Sequence, residues 1–290
     1  MKISIFTVAT PDLTPEELAT KARELGIQGI EWRYKDTSEE VAKEEPSFWG
    51  NNLCTLPPSG GDEAIARFKK AAEDAGVPTL SVTPYLACGD LEGTEQVLAA
   101  ARELGAKFIR LGVPSYNRTR KFPELFEEAR AYLKQSEALC RQYGVKGLVE
   151  THHVTIAPSA SSAYRLLEGL DPDHVGVLYD PGNLVHEGFE NYRMGLELLG
   201  PYLAHVHVKN GGWVADKEPV SELREIRWSS NWTGVREGIV PWGQVIADLQ
   251  SVGYDGYLGI EDFSNQYGTD QMLRETVHYL KALLGESNRA

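Results

Sequence analysis

The chain has 290 residues, 42% apolar and 24% charged, enough for one large folded unit with a substantial core. Its formal net charge of −13 repels a phosphate backbone and argues against a nucleic-acid partner. Cys54, Cys88 and Cys140 are too few and too widely spaced for a disulfide framework or a zinc finger. No apolar run approaches the ~20 residues of a membrane span, and the opening residues lack a signal-peptide core, so a cytoplasmic protein with reduced thiols is expected.

Residues 2–8 (KISIFTV) read as a strand. Thr14 then caps a helix in TPEELATKARELG, with Pro15 at its first position and Glu17 completing a capping box. Leu18, Ala22 and Leu25 recur at helical spacing, Gly26 stops the helix, and IQGIEWR (27–33) is the next strand. The unit repeats. Helices are expected over 62–75, 93–104, 123–143, 160–169, 191–199, 241–252 and 269–284, with strands over 78–83, 106–112, 145–151, 174–180, 203–209 and 256–262. Strands alternating with helices imply an α/β fold with a parallel sheet, and eight such units imply a single (β/α)8 barrel over residues 1–290. A doubly wound dinucleotide fold would place a Gly-rich turn after the first strand, and Thr7 to Pro11 offers none. Two long loops, 34–61 and 210–240, hold Trp49, Trp213, Trp228 and Trp232, and the second is expected to cover the barrel mouth.

Catalytic groups of such barrels stand at the C-terminal ends of the strands. Those positions carry Glu31, Arg110, Glu150 followed by His152, Asp180, His207 followed by Lys209, and Glu261. Side chains alternate along a strand, so His205 lies deeper than His207 and Lys209 above it, while Gly259 leaves room beneath Glu261. Each residue alone has an ordinary explanation: a solvated carboxylate, a core histidine, a turn at Asp180-Pro181-Gly182. Glu150, Asp180, His207 and Glu261 gain force because they end consecutive strands. Three carboxylates and one imidazole suit a single divalent ion, Mn²⁺ first, with Mg²⁺, Co²⁺ and Zn²⁺ as alternatives. Glu31, Arg110, Asn183, Lys209, Trp213 and Trp232 are expected to contact substrate. Trp32, Tyr85 and Tyr116 also fall near the mouth, and Arg110, Lys209 and Arg236 could bind an anion.

The strings VETHH (149–153), LYDPGN (178–183), HVHVKN (205–210) and LGIEDF (258–263) resemble the xylose isomerase-like superfamily of sugar isomerases, epimerases and lyases. So do ELATKARELGIQGIEWR (17–33) and PWGQVIADLQSVGYDGYLGIE (241–261). The resemblance implies that Glu150, Asp180, His207 and Glu261 bind the metal, and that Glu150 and Glu261 also move the proton, as in the family's keto-sugar epimerases. The chain departs from the pattern twice. Asn183 stands where many members have His, and Ile156 stands where ketose 3-epimerases have a second Glu. Those departures leave room for dehydration of an inosose or lyase chemistry on a 3-keto-glycoside.

The expected activity is a metal-dependent isomerase or epimerase acting on a keto-sugar or related polyol through an enediolate. The alternative is a lyase that expels a leaving group with His152 as acid. A small sugar or cyclitol is the expected partner, and a homo-oligomer the expected assembly. Two rivals are weaker. An endonuclease IV-like repair enzyme needs more metal ligands than this chain offers, and a non-catalytic sugar-binding barrel needs no proton-transfer carboxylates.

Overall fold

In the computed structural model, which describes residues 1–285, eight parallel strands close into a barrel. They are β1 (Lys2–Phe6), β2 (Ile30–Tyr34), β4 (Thr79–Pro84), β5 (Phe108–Arg110), β6 (Lys146–Glu150), β7 (Val175–Tyr179), β8 (Leu203–Val208) and β11 (Tyr257–Ile260). The short β3 (Thr55–Leu56) adds to the outer end of β2, and β1 pairs with both β11 and β2 to close the ring. These are the eight barrel strands expected, in the expected order.

Local chemistry places the helices. The first, α1 (Pro15–Leu25), has the expected capping box: Glu17 N donates to Thr14 Oγ1 at 3.3 Å, and Thr14 N donates to Glu17 Oε2 at 2.8 Å. Gly26 ends it in the left-handed region at φ 73°, where a side chain would be strained. The outer layer continues with α2 (Gly61–Ala75), α3 (Leu91–Glu103), α4 (Phe122–Tyr143), α5 (Ala160–Leu167), α7 (Tyr192–Leu199), α8 (Trp242–Ser251) and α9 (Thr269–Leu283). Among the described residues, no helix is long and apolar enough to cross a membrane.

The two faces of each strand have different contents. Outward residues such as Ile30, Trp32, Val82, Val149, Val177, Val206 and Leu258 are buried in the apolar core shared with the helices. Trp32 was expected near the mouth, but alternation turns it outward. There it packs edge-on against Phe68 of α2, 4.9 Å between ring centroids, and donates Nε1–H to Thr79. Truncating it to Ala would cost about 3–5 kcal/mol. Polar and aromatic side chains face inward: Ser4, Phe6, Glu31, Phe108, His205 and His207 are joined by hydrogen bonds and ring stacking.

Three further features refine the expected layout. A six-residue helix, α6 (Pro181–His186), follows β7 before α7, with Asp180 as its N-cap. The segment 210–240 is not irregular, because β9 (Asn210–Ala215) and β10 (Trp228–Thr233) pair antiparallel within it. The hairpin tip, including Leu223 and Ile226, is exposed, and the cavity-lining residue of the hairpin is Trp232 near its base.

Candidate active site

The strands deliver their terminal side chains to one end of the barrel, around a cavity of about 420 Å³. Glu150 ends β6, Asp180 follows β7, His207 lies in β8, and Glu261 directly follows β11. Their four ligand atoms lie within 4.8 Å of one another, and all four residues are buried. His207 Nδ1 faces Glu261 Oε2 at 3.5 Å, Glu150 Oε1 at 3.8 Å and Asp180 Oδ2 at 3.9 Å. It has no hydrogen-bond partner among the described residues.

Each ligand atom is aimed by a neighbour. Asp180 accepts the Asn183 backbone N–H on Oδ1 at 3.0 Å, the N-cap bond of α6, which turns Oδ2 toward His207. Asn183 Nδ2 donates to Asp180 Oδ2 at 3.0 Å and to Glu150 Oε1 at 3.3 Å. Asn183 was expected to contact substrate, yet it is wholly buried behind these two carboxylates and does not line the cavity. Arg110 donates from Nη1 to Glu150 Oε2 at 2.7 Å. Lys209 bridges Asp180 Oδ2, at 2.8 Å, and Glu261 Oε2, and its ammonium sits 4.8 Å from the Trp232 ring centroid.

Glu31, also expected to touch substrate, stands beneath His207 instead. Its Oε2 lies 3.1 Å from His207 Nε2. Its Oε1 accepts from Ser4 Oγ at 2.8 Å and lies 2.9 Å from His205 Nε2. A carboxylate oxygen only accepts, so it holds the hydrogen of His207 on Nε2 and leaves the lone pair on Nδ1. The room that Gly259 leaves is what admits Glu31: a Cβ there would stand 2.4 Å from Glu31 Oε1 and 3.0 Å from His205 Nε2.

Burial and charge crowding perturb the four clustered residues. Burial pushes the Glu150 carboxyl up, but Arg110 and His152 outweigh it and hold it below the usual range. Burial opposes ionisation of Glu261 too, and Lys209 and His207 overcome it to hold that carboxyl well down. Asp180 goes the other way: burial raises it, and Glu261 and Glu150 add to that against Lys209. Burial would neutralise His207, yet Glu261 and Glu31 raise it well above its usual value. Three buried carboxylates around one imidazole nitrogen without a partner form a set of donors that fits a divalent cation.

His152 and His153 stack at 4.4 Å between ring centroids on the cavity wall. His152 Nδ1 lies 2.7 Å from the His153 carbonyl, which can only accept, so Nδ1 carries the hydrogen and Nε2 is free. Burial and the nearby His152 and His186 push His153 down to about 4. Trp49, Tyr85, Trp232 and Phe263 complete an aromatic rim. Phe263 and His153 stand within LGIEDF and VETHH, and only the closed barrel shows that both face the cavity.

Three other expected contacts lie elsewhere. Trp213 donates its indole N–H to the Val185 carbonyl at 2.7 Å and does not line the cavity. Arg236 pairs with Glu275 on α9 and stands outside the cavity lining. Tyr116 is 39% exposed and also stands outside the cavity lining.

Residues 19–283 match the family described as xylose isomerase-like TIM barrel. The chain belongs to that family. An inosose dehydratase of Clostridium perfringens is 25% identical over 274 residues, covering 82% of this chain and 89% of the relative. A 3-keto-D-glucoside 4-epimerase from E. coli shares the fold, with a TM-score of 0.68 at 17% identity over 97% of this chain and 99% of that one. The IOLI protein, solved with a bound zinc atom, has a TM-score of 0.70 at 13% identity over the full length of both chains. This xylose isomerase-like barrel thus combines the family's fold with a buried cluster able to hold a metal ion.

Proposed function

We propose that the chain is a metal-dependent lyase that eliminates water from a polyhydroxy ketone, a keto-cyclitol or keto-sugar. Glu261 acts as the base and His152 as the acid. Glu150, Asp180, His207 and Glu261 would hold one divalent ion, with Mn²⁺ the first candidate. When bound, the ion draws electron density from the substrate carbonyl and so acidifies the adjacent C–H.

The observation that carries this reading is the inequality of the two glutamates. The oxygens nearest His207 Nδ1 are Glu150 Oε1 and Glu261 Oε2. The other oxygen of Glu150 is taken by Arg110 at 2.7 Å, whereas among the described residues no hydrogen bond falls on Glu261 Oε1. Glu261 therefore keeps an oxygen for the C–H proton, and Glu150 does not. Epimerisation by two opposed carboxylates, the leading expectation from sequence, would require Arg110 to leave Glu150. Elimination requires only one base and a separate acid. His152, once protonated, donates from Nε2 to the departing hydroxyl, so the C–H proton ends on Glu261 and the hydroxyl leaves as water. Lys209 and Arg110 hold the carboxylates ionised and offer donors to substrate oxygens. The aromatic rim packs the apolar face of the ring and excludes water. The curated relative named inosose dehydratase supports the same class.

The test incubates metal-loaded protein in D₂O with a keto-inositol, a free ketose and a 3-keto-glycoside, followed by mass spectrometry and NMR. A product lighter by one water from one of these supports the reading. Recovery of a deuterated stereoisomer with no loss of water would replace it with the epimerase.

A further inference from the structure

Glu31, Arg33 and Lys35 succeed one another along the same side of β2 and its extension, rising toward the mouth. Arg33 is 1% exposed. Its guanidinium donates to Thr55 Oγ1 at 3.2 Å and to the Trp49 carbonyl at 3.1 Å, and its Nε has no partner among the described residues. All its hydrogen-bond acceptors among the described residues are neutral, and a buried guanidinium without an anion is costly. Two more cations meet it at Tyr85. The Arg33 Cζ lies 5.6 Å from the Tyr85 ring centroid, Lys35 Nζ 5.6 Å and Arg110 Cζ 5.0 Å. Among the described residues, Arg110 has a carboxylate partner, Glu150, and Arg33 and Lys35 have none. In a chain with a net charge of −13, this corner of the mouth holds a local surplus of positive charge.

The corner adjoins the cavity. Trp49, Tyr85 and Arg110 line it, and Arg33, which does not, touches two of these lining residues through the Trp49 carbonyl and the Tyr85 ring. Trp49 is 55% and Tyr85 43% exposed, and an anion reaches Arg33 only if these two side chains move aside. On this geometry we propose that the substrate carries an oxyanion, a carboxylate or phosphate, which seats on Arg33, Lys35 and Arg110. Its ketone would face Glu150, Asp180, His207 and Glu261. The inference extends the proposed lyase from a neutral polyol to an anionic polyhydroxy ketone and rests on that reading for the ketone end alone. The guanidinium fork of Arg33 suits a two-oxygen contact, and exposed Lys35 adds a movable point charge at the entrance.

The experiment titrates the full chain, with and without Mn²⁺, with D-glucitol, D-gluconate and D-glucitol 6-phosphate by calorimetry. These three share a six-carbon polyol, differ in the anion and contain no ketone. Binding therefore reads this subsite even if the elimination reading fails. At least one anion should bind about tenfold or more tighter than glucitol, with an advantage that shrinks as salt rises. Arg33→Met and Lys35→Glu should each remove most of that advantage without weakening glucitol. Whichever anion gains identifies the group. Lys35 is exposed, so Lys35→Glu carries the test if Arg33→Met does not fold. Equal affinity for all three polyols, or an advantage that survives Lys35→Glu, overturns the proposal.

Discussion

Replacing Glu31 by Gln is expected to weaken metal binding by about 10–100-fold while leaving every cavity-lining side chain in place. Glu31 does not line the cavity, but its carboxylate determines which nitrogen of His207 carries the hydrogen. Only Nδ1 faces the three carboxylates, at 3.5–3.9 Å, so ligation requires the hydrogen to stay on Nε2. A Gln side chain can turn its NH₂ toward Nε2, which drives the hydrogen to Nδ1 and blocks the ligand lone pair. It also gives up one of the two acceptors now shared by Ser4, His205 and His207. An opposing effect is present: without Glu31, the metal-free imidazole is less firmly protonated, which eases ion entry. The tautomer effect should dominate, because Glu261, the larger of the two influences that raise His207, remains. The net expectation of about 1.4–2.8 kcal/mol corresponds to the stated fold-change. The assay is chelator competition for Mn²⁺ and Zn²⁺, with circular dichroism to confirm folding. A folded Glu31→Gln protein whose Kd stays within about twofold of wild type would refute this role of Glu31.

Other outcomes follow from the same geometry. Glu261→Gln should cut turnover by about 10²–10⁴-fold but reduce metal occupancy less, measured on one sample by kinetics and metal analysis. Gly259→Ala forces a Cβ to 2.4 Å from Glu31 Oε1, so thermal unfolding should show a loss of about 1–3 kcal/mol, with weaker metal binding. His153 is held at about 4, below the usual 6.5 of a free imidazole. The folded state therefore resists its protonation. The stability it contributes is present above pH 6.5 and is lost as pH falls through 4, and His153→Asn should flatten that part of the profile. Chelation should abolish turnover and lower Tm, with Mn²⁺ restoring both.

The sequence by itself determined the barrel, because alternating β-branched runs and capped amphipathic helices are local signals. Thr14 with Glu17, and Gly26 in the left-handed region, shape the backbone within a few residues of themselves. It also identified Glu150, Asp180, His207 and Glu261 as a group, since equivalent positions on neighbouring parallel strands converge when the sheet closes. Tertiary structure decided direction and pairing. The alternation along β2 sends Trp32 outward and Glu31 inward, and only closure of β1 against both β2 and β11 brings Glu31 under His207 through the gap at Gly259. The bond from Arg110 to Glu150 joins residues 40 apart in sequence, and the bridge from Lys209 to Glu261 joins residues 52 apart. Those pairings make the two glutamates unequal. No local pattern encodes that difference, because it depends on which side chains from separate strands reach the same few ångströms of buried space.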